Sequence, residues 1–245
     1  MTVGFLRAFC RLFVVQGAWN YERMTGVGMG YAAEPLLEDL QSVDPARHAE
    51  AAVRSAEYFN SHPYLAGAAL GALVRAEYDQ VPGAQIARLR AALTSPLGAL
   101  GDQFFWTGLV PALIGVATLG IVYGHPVATL IVVLIAYNGV RIATGIWALS
   151  VGLANGVRVG AALSDSWLPR AAPMMGLLAA VLVGAAVPLA GQWLLDSHSG
   201  FGVGVASGTT LAALWSVWKF GPRVTSIRFG LAAICLAALI AWGLP

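Results

Sequence analysis

Four stretches of this 245-residue chain, 103–140, 171–195, 197–218 and 229–245, contain no Asp, Glu, Lys or Arg. A hydrocarbon core of about 30 Å takes roughly 20 apolar residues to cross as a helix, and only a helix or a closed barrel satisfies its backbone there. The first stretch is long enough for two crossings, so the runs predict about five apolar membrane segments, at 103–123, 126–150, 171–195, 201–218 and 229–244. The predicted fold is all-α, a polytopic integral membrane protein with N-terminal amphipathic and re-entrant helices. Composition agrees: 58% of residues are hydrophobic and 11% charged, with a mean hydropathy of +0.72, outside the range of ordinary soluble domains.

Charge divides the chain. Residues 1–102 hold 8 of the 14 basic and 10 of the 12 acidic residues, which leaves 6 and 2 for the rest. The expected organisation is therefore an N-terminal amphipathic and re-entrant helical region, 1–102, followed by a membrane-embedded helical region, 103–245. A net charge of +2 with scattered arginines supplies no basic patch for a phosphate backbone, which excludes nucleic acid as a partner. Arg158 and Arg170 fall in the loop 151–170, and Lys219, Arg223 and Arg228 in 219–228, whereas 196–200 has no Lys or Arg. The positive-inside rule then puts the N-terminal half in the cytoplasm and the C-terminus outside. Pro111, Pro126, Pro173, Pro188 and the glycines of 200–208 are places where a span would kink or break into half-helices.

The N-terminal region reads as a set of shorter elements. Phe5, Phe9, Leu12 and Phe13 form an apolar stripe at helical spacing with Arg7 and Arg11 off it, the pattern of a helix lying in the bilayer interface or packed on a partner subunit. The two arginines interrupt the apolar stretch, so it does not read as a cleavable signal. Residues 46–59 and 84–94 read as surface helices. Residues 64–78 are apolar and small, with Gly67 and Gly71 four apart so that another helix can approach, and read as a core or re-entrant helix. Cys10 and Cys235 have neither disulfide-like nor metal-like spacing.

Four polar constellations stand out against this background. QGAWNYERMTG (16–26) sets Trp19, Asn20, Tyr21, Glu22 and Arg23 side by side. FNSHPY (59–64) places Asn60 and His62 where Pro63 forces a break, which membrane proteins use to present donors and acceptors to a polar solute. The alternative is a capped helix terminus with His62 at a surface. SPLGALGD (95–102) reads as a chain break before the first long apolar run, with Asp102 placed to cap that run, to accept hydrogen bonds from hydroxyl groups, or both. Asn138 and Arg141 share one face of the second span, and an intramembrane arginine needs a partner, for which Glu22, Glu77 and Asp102 are candidates.

Nothing here reads as a catalytic centre. His48, His62, His125 and His198 form no H-E-x-x-H site, and no G-x-S-x-G elbow is present. No metal and no cofactor is expected.

QGAWNYERMTG, FNSHPY, PLGALGDQFFW and N-x-x-R at Asn138 and Arg141, followed by Gly152 and Gly156, occur in an order and spacing that resembles the IID subunit of the mannose, fructose and sorbose family of the bacterial sugar phosphotransferase system. The first three motifs are specific; after about residue 160 the likeness lies mainly in hydropathy. The resemblance implies an all-helical heteromer with a IIC membrane subunit, of higher order, in the cytoplasmic membrane among its lipids. There it would bind a mannose-type hexose between subunits and move it elevator-fashion, while a separate IIAB phosphocarrier carries out the phosphoryl transfer. Carried over position by position, Asn60, His62 and Asp102 are candidates for hydroxyl recognition. Trp19, Asn20 and Glu22 are candidates for lining the sugar site, Trp19 by stacking on a pyranose ring or, alternatively, as an interfacial anchor. Arg23, Arg141 and Asn138 are expected in structural or ion-pair roles. Gln103 stands where the family has a proline after Gly-Asp, Ala18 where it has a serine, and Ser61 where it has a threonine. These departures leave open a second function, a regulatory or structural membrane component that no longer moves sugar.

Overall fold

The computed structural model of the chain describes residues 2–196 and, beyond them, Trp215 and Lys219. The chain divides into two compact units, Met1–Val187 and Pro188–Pro245, and the description that follows concerns the first. It is built from helices: α1 (Thr2–Leu12), α2 (Gly26–Val43), α3 (Pro45–Ser55), α4 (Ala66–Tyr78), α5 (Gly83–Gly101), a π-helical segment (Asp102–Leu109), α6 (Val110–Val122), α7 (Pro126–Asn155), a short 3-10 turn (Gly156–Arg158), α8 (Val159–Ser164) and α9 (Leu168–Asp196).

Three helical stretches, Gly83–Val122, Pro126–Ser164 and Leu168–Gly191, are long and apolar enough to cross a membrane. They contain or overlap the first three predicted spans; those predicted at 201–218 and 229–244 lie outside the described residues. The break predicted at 95–102 is corrected. Residues 83–122 run as one helix with Pro96 inside it, and the surface helix expected at 84–94 is its first part. The helix has a local change of geometry at Pro111, in its passage from α5 to α6. Between α5 and α6 it widens into the π segment, which ends with Val110 N–H donating to the Phe105 carbonyl. Pro111, which has no amide hydrogen, then sits at the first turn of α6, where none is required. Asp102 therefore lies within a helix, its backbone N–H donating to the Gly98 and Ala99 carbonyls, and its side chain caps no helix end.

α4 is the centre of the core, with Ala66, Ala68, Ala69, Leu70, Ala72 and Ala76 among its buried positions. It packs along α7 through small residues on both sides. A Cβ on Gly71 would lie 2.6 Å from the Leu149 carbonyl oxygen, and one on Gly152 would lie 2.2 Å from that of Ala68. The predicted close approach at Gly67 and Gly71 is present, and at 13 residues α4 is a core helix, too short to span. The π segment and α6 meet α9 in the same way, since a Cβ on Gly108 or Gly115 would fall within 3 Å of Met175 or Leu182 respectively.

α2 is helical although three glycines in its first turns and Pro35 disfavour a helix locally. Contacts outweigh that local preference. Gly28 lies against the Val15 backbone and Gly26 against the Glu57 carbonyl, so close that a Cβ at either would come within about 2 Å. The Tyr31 carbonyl, left without an amide partner by Pro35, accepts a 2.8 Å hydrogen bond from Arg11 Nη1. Arg11 also pairs with Glu34, and Arg7 with Glu38 at 2.7 Å. α1 thus lays its charged edge on α2 and buries Ala8, Phe9 and Leu12. Its partner is another helix of the same chain.

The side chain of Asp44 caps α3, accepting from Arg47 N–H at 3.0 Å. α3 is tied to α4 through Glu77, a buried carboxylate that takes Arg54 in a bidentate pair at 2.9 Å and Arg47 at 2.9 Å. These hydrogen bonds hold the Arg54 pKa above its ordinary value.

Candidate functional site

The first motif folds as a tight loop fixed by its own side chains. Asn20 Oδ1 accepts from the amides of Glu22 (3.1 Å) and Arg23 (2.9 Å), and Asn20 Nδ2 donates to the Ala18 carbonyl at 3.2 Å. Such a side-chain turn is characteristic of asparagine. Backbone bonds between Asn20 and Met24 close the loop, with Met24 at φ 52°. The loop then docks on the second motif. Thr25 donates to the Phe59 carbonyl from its amide (3.0 Å) and its hydroxyl (2.8 Å), while Phe59 N–H donates to the Arg23 carbonyl at 3.3 Å. Trp19 is 46% exposed, with its ring edge-on to Tyr21 at 4.8 Å. Glu22 and Arg23 are exposed and make no ion pair among the described residues.

His62 turns inward where Asn60, two residues earlier, is exposed. It is 2% exposed, stacked on Phe105 at 4.9 Å with an 11° interplanar angle, with Tyr64 edge-on at 4.9 Å and Trp106 tilted at 5.5 Å. Gly101 makes the room, since a Cβ there would lie 2.2 Å from His62 Cβ. The second and third motifs therefore meet at Gly101, which places Asp102, exposed, next along the helix. His62 Nδ1 accepts from Tyr64 N–H at 3.3 Å, so the ring proton sits on Nε2, and that buried donor has no partner. Burial pushes the imidazole pKa down to about 4, leaving a neutral ring at physiological pH.

The aromatic wall extends to α7. Tyr64 and Tyr137 share a hydroxyl–hydroxyl hydrogen bond of 2.7 Å, and the Arg141 guanidinium lies over Tyr64 at 4.6 Å and over Phe13 at 4.8 Å. The carboxylate partners expected for Arg141 are corrected. Glu77 is occupied by Arg47 and Arg54, and neither Glu22 nor Asp102 forms an ion pair among the described residues. Asn138 donates to its own helix at the Leu134 carbonyl, 2.9 Å away, and stands exposed beside Arg141. Tyr64, Phe105, Trp106 and Tyr137 escaped the sequence reading. Their signal was adjacency, two residues after His62 and three or four after Asp102, with Tyr137 one helical turn from Arg141.

A neutral donor set among aromatic faces suits an uncharged hydroxylated ligand: rings cover apolar C–H surface, and the imidazole N–H is a donor for a hydroxyl oxygen. No cluster that would hold a metal occurs among the described residues.

Fold and site together define an all-helical integral membrane protein that gathers polar groups at the ends and widenings of its helices. The sequence matches, over residues 3–241, the family described as PTS system mannose/fructose/sorbose family IID component, and the chain belongs to that family. It is a protein of the bacterial cytoplasmic membrane. It is 27% identical over 184 residues to the mannose-specific EIID component of Escherichia coli K12, covering 73% of this chain and 65% of the relative. It is 26% identical over 186 residues to the fructose permease IID component of Bacillus subtilis 168, covering 73% and 66%. The chain thus spans about two thirds of the length of the curated relatives it matches. Among solved structures, one described as "Structure of membrane protein" aligns with a TM-score of 0.72 at 22% identity over 100% of this chain and 98% of that one. The mannose transporter ManYZ in complex with microcin E492 aligns with a TM-score of 0.58 at 23% identity, over 100% and 97%. Both likenesses are of fold. The family match, running through nearly the whole chain, does not favour the non-transporting alternative.

Proposed function

We propose that this chain is the IID translocation subunit of a sugar phosphotransferase permease. With a IIC membrane subunit it forms the path that binds a mannose-type hexose and moves it inward, and a separate IIAB protein phosphorylates the sugar on release. The chain itself carries out no phosphoryl transfer. Residues 1–102 supply most of the recognition side chains and 103–245 the membrane body, with the N-terminus cytoplasmic and the C-terminus outside. The observation that carries this reading is the unpartnered Nε2–H of His62, buried among Phe105, Tyr64 and Trp106. An unsatisfied buried donor costs about 1–3 kcal/mol, and a hydroxyl oxygen of a bound sugar relieves that cost. Asp102 and Asn60 lie outside the buried box on the same two motifs, where they contribute acceptors at its rim. Trp19 and Glu22 are exposed and reach the ligand only if the IIC subunit closes over them; Asn20 serves the loop instead.

The test is uptake of labelled hexose by cells that supply IIC and IIAB and carry this chain intact, deleted, or with His62→Phe. The proposal requires saturable uptake from the intact chain alone. Equal uptake with the chain deleted would refute it.

A further inference from the structure

One hydrogen bond decides which nitrogen of His62 carries the proton. A neutral imidazole keeps its proton on the nitrogen that is not accepting. The bond at Nδ1, from Tyr64 N–H, is 3.3 Å and so at the long end of such bonds, while Nε2 has no partner to share the task. A small withdrawal of Tyr64 therefore releases the other tautomer, which presents a lone pair at Nε2 where the box now offers N–H. Whatever holds Tyr64 sets the donor.

Two side chains of α7 hold it, from positions four apart and so on one face of that helix. Tyr137 bonds the Tyr64 hydroxyl at 2.7 Å, and the Arg141 guanidinium lies over the Tyr64 ring, 4.6 Å from its centre. The same guanidinium lies over Phe13 at 4.8 Å, so it is seated between a ring just past α1 and a ring of the His62 loop. It makes no hydrogen bond or ion pair among the described residues, and its charge is directed at the two ring faces. The other neighbours of the Tyr64 ring are His62, Phe105 and Trp106, which pack against it without bonding its hydroxyl.

From this geometry we infer that Arg141 and Tyr137 are positioning residues: acting through Tyr64, they keep His62 in the tautomer that offers Nε2–H to a sugar hydroxyl. The inference rests on the reading of His62 as the donor to the sugar, and it gives Arg141 a task that needs no carboxylate. A cation over the ring is what the task requires, so lysine at 141 retains part of it.

The test reads the tautomer directly, by imidazole nitrogen NMR of the complex with IIC reconstituted in bilayers and labelled at histidine, where the His62 signals are those that His62→Phe removes. The parent shows the Nε2–H tautomer alone. Arg141→Met and Tyr137→Phe each show a mixture of the two, and Arg141→Lys lies nearer the parent. Hexose titrations of the same complexes give a dissociation constant at least threefold higher for Arg141→Met and for Tyr137→Phe, and neither change adds to the loss already present in His62→Phe. Tyr137→Phe removes a single oxygen and carries the test if Arg141→Met does not fold. A pure Nε2–H tautomer in either variant overturns the inference for that residue, whatever its melting temperature. A loss of affinity that persists in the His62→Phe background overturns it too, because it marks direct contact with the sugar. The tautomer is read without sugar, so an unchanged hexose constant in His62→Phe removes the sugar-site reading and leaves the positioning result to be decided by NMR alone.

Discussion

His62 and Gly101 are in contact at a distance that only glycine permits: a Cβ at residue 101 would stand 2.2 Å from His62 Cβ and 2.3 Å from Cγ. The contact ties a loop from the N-terminal half to the helix that enters the membrane, at the point where that helix widens into its π segment. Gly101→Ala must therefore push His62 off the Phe105 ring. Overpacking of this kind costs typically about 1–3 kcal/mol. The expected result is a lower melting temperature together with weaker hexose binding by the chain in its IIC complex. An unchanged melt would show that the loop yields freely.

Replacing the imidazole with a ring of similar shape separates stability from binding. His62→Phe keeps a flat ring against Phe105 and removes the orphaned Nε2–H, so the chain melts at the same temperature or higher. Binding of hexose falls at least tenfold, which is about 1.4 kcal/mol. Calorimetric melts and binding titrations on one preparation check both halves.

The pH dependence follows from the same residue. The folded imidazole, pushed to about 4 by burial, takes up a proton less readily than the unfolded one at its ordinary 6.5. Below pH 6.5 the unfolded chain binds the proton first, so stability present at neutral pH is lost between 6.5 and 4. The full loss from this group is about 3 kcal/mol, at 1.36 kcal/mol per pH unit. The difference between parent and His62→Phe melts across that window isolates it from carboxylates that titrate nearby.

Glu77 holds two arginines from a position 3% exposed. Glu77→Ala leaves Arg47 and Arg54 without their carboxylate, and breaking a buried pair from one side costs about 3–5 kcal/mol. Thermal unfolding of the N-terminal helices shows the loss.

Asn20 fixes its loop through Oδ1, so Asn20→Asp keeps the acceptor and Asn20→Ala removes it. The account expects binding to survive in Asn20→Asp and the melt to fall by about 1 kcal/mol in Asn20→Ala. A selective loss of sugar affinity in Asn20→Asp would restore the residue to the ligand site.

The sequence reading succeeded where one residue type meant one thing. Uncharged runs located three helical stretches long and apolar enough to cross a membrane, and glycines four apart located the α4–α7 contact. It failed where tertiary contacts overrode local preference. Pro96 and the glycines at 98 and 101 read as a break, yet the helix continues through them; Gly101 gives room to the His62 ring, and a π segment follows it. The glycines of α2, poor helix formers by themselves, are what allows that helix to lie on backbone. At the candidate site, polar residue types singled out His62 and the Gly-Asp segment, which the fold brings into contact at Gly101. The aromatic box around His62 stayed hidden because Tyr64, Phe105 and Tyr137 resemble ordinary span residues until the fold brings them together. Asn20, polar and conspicuous, turned out to spend its side chain on its own loop.

The central claim is that His62 offers its free Nε2–H to a sugar hydroxyl. Hexose binding to the reconstituted complex with IIC, titrated for the parent and His62→Phe at matched melting behaviour, measures it directly. The account predicts a dissociation constant at least tenfold higher for His62→Phe; an unchanged constant in a folded His62→Phe complex would contradict it.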